Sequence, residues 1–468
     1  MVSTLRITLV LAAGLLIACS KAPDPTSDPR PNFVVILTDD QRQDELEHMP
    51  SVMRRLAGEG LQFVHSFVTT PLCCPSRASF LSGRYAHNHG IRDLGGAPLF
   101  DATSTVAVWL QRAGYRTGLV GKYMNDNGLL APEIPPGWDT WVTFADTPAS
   151  FAGSWLYYDY ELNVNGKPAR YGNEAKDYST DVLADFAVEF LNRSDGRPFF
   201  LLFSPFGPHL PAVPAPRHAG TLADLTFEET PGLQETDLGD KPGYVRRIRE
   251  LYAQEESGGG QPMAEHWRAG RVRVAESLLA IDEAVERLLD LLVEREIIDD
   301  TVIVYTSDNG VLWGEHGLAG KQVPFEEAVR VPLIVRYPRM VPRARQDAHL
   351  VLNLDLAPTL AELAGAQAGD VDGTSLVPLL RGDAEVTWRS DFLIEGSKSS
   401  FTGSPYRAVR SAEWKYVWTG SEPAFEELYD LVRDPYETEN LLVVTPQDPS
   451  VQRTADAMRR RRAELEAE

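Results

Sequence analysis

Cysteine is nearly absent from this sequence. The three present are Cys19, Cys73 and Cys74, and the last two are neighbours, a spacing at which a disulfide is strained. A disulfide framework is therefore excluded, and a chemical role for one of the adjacent pair is the better reading. Positive charge is also scarce. The formal net charge is -22 and the sequence pI about 4.9, so no overall positive field exists to gather phosphates, and a nucleic-acid partner is excluded. The same charge repels anions at long range. An anionic substrate would need a local cluster of Lys, Arg and metal to receive it. Long apolar runs are missing as well: the N-terminal one, Ile7 to Ala18, has roughly a dozen residues where a membrane span needs about 20. There is no internal repeat.

The N-terminus reads as an export signal, with Arg6 before the apolar run and Leu16-Ile17-Ala18-Cys19 closing it. That ending resembles the lipobox of bacterial lipoproteins. The resemblance implies cleavage before Cys19, a lipid on Cys19, and a protein exported to the periplasm or cell surface and held to the membrane by that lipid alone. Ser20 is compatible with sorting to the outer membrane in a Gram-negative host. The following stretch, Lys21 to Pro31, is rich in Pro, Asp and Ser and reads as a tether.

Beyond the tether, apolar runs bounded by polar residues predict buried strands at Asn32–Leu37, Thr117–Val120, Pro198–Phe203 and Thr301–Tyr305, with a fifth at Val331–Val335. Helical patterns lie between them: Ser51–Glu59, Ser104–Ala113, Tyr178–Leu191 and the long run His266–Glu296, where Leu278, Ile281, Val285, Leu288, Leu289 and Leu292 recur at helical spacing. Strands alternating with helices predict an α/β sandwich around a mainly parallel sheet. Ligands gather at the carboxyl ends of such strands, and polar residues stand there: Asp39-Asp40, Gly121-Lys122, Gly207-Pro208-His209 and Ser307-Asp308-Asn309. Each could be an ordinary turn; four in one sheet point to a site. After about Ala366 the pattern shifts to short antiparallel strands at Phe392–Glu395, Tyr406–Arg410, Lys415–Trp418 and Glu427–Asp430, followed by a charged helix from Pro449. The expected division is thus a signal over 1–19, a tether over 20–31, a catalytic domain over 32–366 and a smaller C-terminal subdomain with a short antiparallel sheet over 367–468.

The run Cys73-Cys74-Pro75-Ser76-Arg77, continued by Ala78-Ser79-Phe80-Leu81-Ser82-Gly83-Arg84, resembles the signature of the formylglycine-dependent sulfatases. Pro75 suits the first turn of a helix, which places residue 73 at a helix N-terminus, where free N–H groups favour anions. The resemblance implies an alkaline-phosphatase-like sandwich and a maturation enzyme that oxidises Cys73 to formylglycine. The aldehyde hydrate then attacks sulfur through one hydroxyl and releases sulfate through the other. Asp39, Asp40, Asp308 and Asn309 are hard oxygen donors that fit Ca²⁺ or Mg²⁺ better than Zn²⁺. The resemblance implies one calcium ion, with the residue-73 oxygen in its shell. It also implies that Arg77, Lys122 and Lys321 bind the sulfate. These three cations plus the metal are the local positive cluster that the acidic chain requires. His209 matches the family histidine that protonates the leaving alcohol.

Arylsulfatases carry a second His two residues after the lysine, where this chain has Met124. That departure, the doubled Cys, Gly83-Arg84-Tyr85-Ala86-His87-Asn88-His89 and Pro135-Pro136-Gly137-Trp138-Asp139 are similar to the N-acetylglucosamine-6-sulfatase branch. The implied substrate is a sulfated carbohydrate, a 6-O-sulfated N-acetylglucosamine of a glycosaminoglycan. His87 and His89 stand either as substitutes for the second arylsulfatase His or pocket walls, or as surface-loop residues, and His316, a position common in bacterial family members, stands at the pocket border with no role assigned. Tyr406, Trp414, Trp418 and the aromatic loop from Trp138 to Tyr160 stand as sugar-cleft or core residues. Two alternatives remain at this level: a phosphate or phosphonate monoester hydrolase of the same superfamily, and a non-catalytic glycan-binding surface lipoprotein.

Overall fold

The computed structural model describes residues 30–145, 156–257, 261–399, 401–420 and 423–468. The export signal with Cys19, most of the tether and part of the aromatic loop after Trp138 lie outside them. The strands of the main sheet are β1 (Asn32–Thr38), β2 (Leu61–Phe63), β3 (Arg116–Gly121), β4 (Thr140–Phe144), β5 (Glu161–Val164), β6 (Lys167–Arg170), β7 (Phe199–Ser204), β8 (Thr301–Ser307), β9 (Leu333–Arg336) and β10 (Arg345–Asp347). They lie side by side in the order β10-β2-β9-β8-β1-β7-β3-β4-β5-β6. The central strands β8, β1, β7, β3 and β4 are all parallel. The fifth sequence-predicted strand, β9, runs antiparallel to β8. An apolar run does not carry its direction, so this reversal was not legible in the residues.

Because side chains alternate across a strand, β1 feeds two cores. Val34 and Ile36 pack into one, with α3 (Ser179–Asn192) and α4 (Met263–Glu294). Phe33, Val35 and Leu37 pack into the other, with α1 (Cys73–Ser82), α2 (Val106–Arg112) and α5 (Leu356–Ala364). A sheet covered on both faces is what the uninterrupted apolar strands require. In α4 the residues predicted to share a face, Leu278, Ile281, Val285, Leu288, Leu289 and Leu292, are all buried. The predicted helix at Ser51–Glu59 forms as a short α-turn, Pro50–Val52, that widens into a π-helical turn over Met53–Ala57.

The C-terminal strands β11 (Asp391–Gly396), β12 (Tyr406–Ser411), β13 (Trp414–Thr419) and β14 (Phe425–Asp430) form a separate antiparallel sheet in sequence order. One face, with Phe392, Ile394, Tyr406 and Tyr429, packs against Phe67, Phe325 and Leu352 of the body. The other, with Leu393, Val409, Tyr416 and Leu428, is covered by α6 (Pro449–Leu465) through Val451, Ala455 and Met458. Among the described residues, no helix is long and apolar enough to cross a membrane.

Candidate active site

Register brings the polar strand ends to one level. Thr38 of β1 pairs with Ser307 of β8, so Asp39-Asp40 and Asp308-Asn309 leave adjacent strands together. Gly121 of β3 pairs with Ser204 of β7, and Lys122 N donates to Ser204 O at 2.7 Å. Gly121 is required for this approach: its φ is +120°, and a Cβ there would lie 1.9 Å from the Ser204 carbonyl oxygen. Asp40 takes a left-handed φ of 67°, a strained choice of the kind that concentrates at functional sites.

Helix α1 presents Cys73 to this edge from its first turn. All its residues are buried. Leu72 is the extended residue before it, and Gly83 closes it in the left-handed conformation, φ 71°. Cys73 Sγ lies 3.3 Å from Asp39 Oδ1, 3.9 Å from Asp40 Oδ1 and 2.7 Å from Lys321 Nζ. Lys122 Nζ pairs with Asp39 Oδ2, and Lys321 Nζ with Asp40 Oδ1. Arg77 reaches back from the second turn of α1: Nε donates to Asp308 Oδ2 at 2.7 Å, and Nη1 to Lys122 O and Ser204 Oγ, both at 2.8 Å. Its Nη2 makes no hydrogen bond and stands 3.4 Å from Asp39 Oδ2. His209 Nε2 is 3.6 Å from Asp40 Oδ2, its Nδ1 is 2.6 Å from Leu210 O, and its ring lies on Phe206. Every residue the sequence nominated for catalysis or metal binding inside the described region, Cys73, Arg77, Lys122, His209, Lys321, Asp39, Asp40, Asp308 and Asn309, falls in this one cluster.

Electrostatics follow from burying three acids and three bases together. Burial pushes the Asp39 carboxyl up, but Lys122, His209, Arg77 and Lys321 together override it and hold the group well below the usual carboxylate range. Asp308 goes the other way, up to about 6, from burial and the charge of Asp39. Burial and then Asp39 push the Cys73 thiol well up. Burial lowers His209, against the opposing pull of Asp40 and Asp39. A thiol held protonated is a poor nucleophile, so residue 73 in its cysteine form is badly suited to attack anything from this pocket.

The donor set fits a divalent ion. Asp39, Asp40, Cys73 and His209 offer ligand atoms that all lie within 4.8 Å of one another, and Asn309 Oδ1 is buried with no hydrogen-bond partner while its Nδ2 donates to Asp40 Oδ1 at 2.5 Å. An orphaned buried carbonyl oxygen beside two carboxylates is a ligand in waiting for a hard cation. The sequence assigns His209 to the leaving group alone; the structure places its ring nitrogen among the ligand-type atoms of Asp39, Asp40 and Cys73.

Several participants were missed. Ser204, which accepts from Arg77, ends an apolar strand and was findable by the rule that found the other strand ends. The two cysteines prove unlike: Cys74 turns away from the pocket, accepts from the backbone amides of Gly96 and Asn125, and burial pushes its thiol up to about 11. Of the unassigned histidines, His87 pairs with Glu395 at 2.9 Å, and His89 meets Ser79 Oγ and accepts from Ile91 N. His316 is fully buried, paired with Glu235 at 2.6 Å and stacked on Phe325. Tyr406 is buried and Trp414 packs near α6.

Comparison with known proteins gives consistent findings. The family model described as Sulfatase matches residues 31–366, and that described as N-sulphoglucosamine sulphohydrolase, C-terminal, matches residues 314–468. The chain is 31% identical to the human N-acetylglucosamine-6-sulfatase over 88% of this chain and 81% of that protein. It is 29% identical to the N-acetylglucosamine-6-O-sulfatase of Bacteroides thetaiotaomicron over 92% of this chain and 86% of that one. It is also 35% identical to the Drosophila melanogaster extracellular sulfatase SULF-1 homolog over 81% of this chain, but spans only 34% of that protein's length. A solved structure in complex with its substrate D-glucosamine-2-N,6-O-disulfate superposes with a TM-score of 0.77 at 25% identity, covering 93% of this chain and 98% of the other. The phosphonate monoester hydrolase of Silicibacter pomeroyi shares the fold, with a TM-score of 0.75 at 23% identity over 93% and 96% of the two chains.

Proposed function

Since this chain belongs to the sulfatase family, we propose that it releases sulfate from a 6-O-sulfated N-acetylglucosamine of a glycosaminoglycan, using a formylglycine made from Cys73 and one calcium ion. The observation that carries the reading is the convergence at residue 73: Sγ sits within 3.3 Å of Asp39 and 2.7 Å of Lys321, so nucleophile position, hard-donor set and cation set meet at one point. The substrate class rests on the similarity to N-acetylglucosamine-6-sulfatases and on Met124 standing where arylsulfatases have histidine.

In this reading Asp39, Asp40, Asp308, Asn309 and the residue-73 oxygen hold the calcium, which when bound polarises the sulfate and acidifies the attacking hydroxyl. The hydrated aldehyde supplies that hydroxyl and a second one for sulfate release, which a plain Ser or Cys ester lacks. Lys122, oriented by Asp39, and Lys321, oriented by Asp40, bind the sulfate oxygens. Arg77, fixed by Asp308 and Ser204, steadies Asp39 and the charge that grows during transfer. His209 carries the proton that the departing sugar oxygen takes. Burial lowers its affinity for that proton, which makes the imidazolium a better donor. The protein's setting in this proposal is the periplasm or cell surface, anchored by a lipid on Cys19 after cleavage between Ala18 and Cys19, with residues 32–366 as the catalytic domain and 367–468 as its C-terminal subdomain.

The test is twofold. Mass spectrometry of the Cys73 peptide from the native host is expected to find the aldehyde in place of the thiol. Turnover is expected on 6-O-sulfo-N-acetylglucosamine in preference to an aryl phosphate or phosphonate monoester. An intact thiol, or phosphate esters cleaved faster than the sulfated sugar, would overturn the reading.

A further inference from the structure

The sulfate pocket is not the only place where this acidic chain gathers positive charge. The loop after the Ala86–His89 turn meets the end of β11, and the two are tied together by Ser397 Oγ donating to Arg92 O at 2.7 Å. Arg92 and Lys398 project from this junction, both exposed. Among the described residues, neither has a carboxylate partner, although the chain holds 67 acids to 45 Lys and Arg. Arg407 of β12 lies beside them, its Nη1 donating to Gly396 O at 3.2 Å and Tyr406 O at 2.8 Å. Two acids face the same space. Glu395 is bonded to His87, which leaves it only a loose 3.6 Å approach to Arg407, and Glu466 stands 3.8 Å from Arg407. The positive charge is thus in excess.

A cavity of about 260 Å³ is lined by Thr70, Arg92, Lys398 and Arg407. A neighbouring one of about 390 Å³ shares Arg92, Glu395, Pro405 and Arg407 with it. A third, narrower space shares Thr70, Arg92 and Ser397 and continues to Leu72 and Gln322. Leu72 precedes Cys73, and Gln322 follows Lys321, so this narrow space of about 10 Å³ lies beside the residue-73 pocket, and the two larger cavities with their cations lie next to it. The larger cavity alone, about 390 Å³, is within the size of ordinary ligand pockets, roughly 300–1,000 Å³.

We propose that the cleft bearing Arg92, Lys398 and Arg407 is a second anion site, which takes a sulfate or carboxylate carried elsewhere on the same carbohydrate whose sulfate ester is cleaved at residue 73. The assignment rests on the carbohydrate sulfatase reading above and sharpens it: the preferred substrate is a polyanionic oligosaccharide and not an isolated monosulfated sugar. An unpaired cation at an exposed site adds little to folding stability, whereas in a cleft leading to an anion-handling pocket it can orient a charged chain and raise its local concentration.

The test compares the wild type with the Arg92→Ala/Lys398→Ala double variant, whose changes are both on the surface. For turnover, kcat/KM is measured on 6-O-sulfo-N-acetylglucosamine and on a tetrasaccharide in which that sugar lies between uronates. The double variant is expected to lose about tenfold or more on the tetrasaccharide and less than twofold on the monosaccharide. Equal losses on both, or none on either, overturn the proposal. For binding, calorimetry uses tetrasaccharides that lack any 6-O-sulfate, one with uronate carboxylates alone and one carrying 2-O-sulfates as well. Binding by the wild type that the variant loses supports the site. Equal affinity for the two ligands assigns the carboxylate, and tighter binding of the second assigns sulfate. Undiminished binding by the variant overturns it. A wild type that hydrolyses no sulfated sugar at all would sink the proposed function, while the binding measurement would still decide the cleft.

Discussion

The pocket at Cys73 and the ion cluster around Lys415 are made from the same kinds of side chain, yet they end in different states. In the pocket, Asp39, Asp40 and Asp308 face Arg77, Lys122 and Lys321, and valence is left over: Asn309 Oδ1 and Arg77 Nη2 are buried without hydrogen bonds. At the seam with the C-terminal sheet, Lys415 Nζ is surrounded by Glu326 Oε1 at 2.8 Å, Glu437 Oε1 at 2.7 Å and Pro324 O at 2.9 Å. An ammonium has three protons to give, so this one is saturated. Arg410 adds a second cation to Glu326 at 3.3 Å. Buried charge alone therefore does not mark a site. Unfilled hydrogen-bonding capacity does not mark one either, since Glu437 Oε1 at the seam is also buried without a hydrogen bond; what the pocket alone has is a neutral amide oxygen, Asn309 Oδ1, left open among carboxylates at the strand ends, beside the Cys73 side chain.

The sharpest way to break the comparison is at residue 73. Cys73→Ala is expected to lower turnover by on the order of 10³-fold or more while the thermal midpoint stays within a few degrees; a variant that unfolds instead would make this helix start structural. Next in size, chelation followed by dialysis is expected to remove about 100-fold or more of the activity, restored by Ca²⁺. The Lys415→Met variant should show the same dependence, because Lys415 lies at the seam with Glu326 and Glu437 and not among the ligand-type atoms around residue 73. For Lys415→Met itself the cost should appear in stability: removing one partner of a buried ion pair costs about 3–5 kcal/mol, read as a shift in urea midpoint, with turnover per folded molecule kept within about tenfold. If turnover collapsed while stability held, the seam would belong to the catalytic machinery.

The smallest effect is in pH dependence, where two seam acids have opposite signs. Burial pushes Glu326 up, but Lys415 and Arg410 outweigh it and hold the group far below its ordinary 4.5. Its stabilisation is therefore complete above pH 4.5 and is lost as pH falls below that value. Burial raises Glu427 to about 7. The folded state then binds more protons than the unfolded one between pH 4.5 and 7, so stability falls as pH rises through that window. Glu427→Gln is expected to flatten the fall, by about 1–3 kcal/mol at most, measured as the change in unfolding free energy between pH 5 and pH 7.5. An unchanged slope would show that Glu427 is ionised in the fold.

Much of this was legible in the residues because strand ends announce themselves. An apolar run that stops at Asp39, Lys122, His209 or Asp308 says both where the strand ends and what chemistry stands there, and parallel register then brings those ends together. What stayed hidden depends on partners far away in the chain. The reversal of β9 leaves no mark in Leu333–Arg336. The difference between Cys73 and Cys74 depends on Gly96 and Asn125 closing around one of them. The pairing of His87 with Glu395, and the cleft beside it, needs the C-terminal sheet to be in place, because Arg92 and Lys398 are joined only by the fold. The boundaries of short helices shifted by one to three residues, as fraying ends do.

Lys321 is held between two distant parts of the chain. Gln322 N donates to Pro71 O at 3.1 Å on one side, and on the other the loop is gripped at Pro324 and Glu326 by Lys415 and Arg410, while Glu395 N donates to Thr69 O at 2.8 Å just before Cys73. A ribosome that has passed Asn309 has already made every acid and every strand end of the pocket, but the loop that carries Lys321 has only its upstream anchors, Pro71 and Asp40, until strands more than eighty residues later bring Arg410 and Lys415. Synthesis order thus leaves the Lys321 corner half-gripped until the last stage of the chain's production, and a protein truncated before β13 would carry all the nominated residues without Lys415 to fix the loop at Pro324 and Glu326.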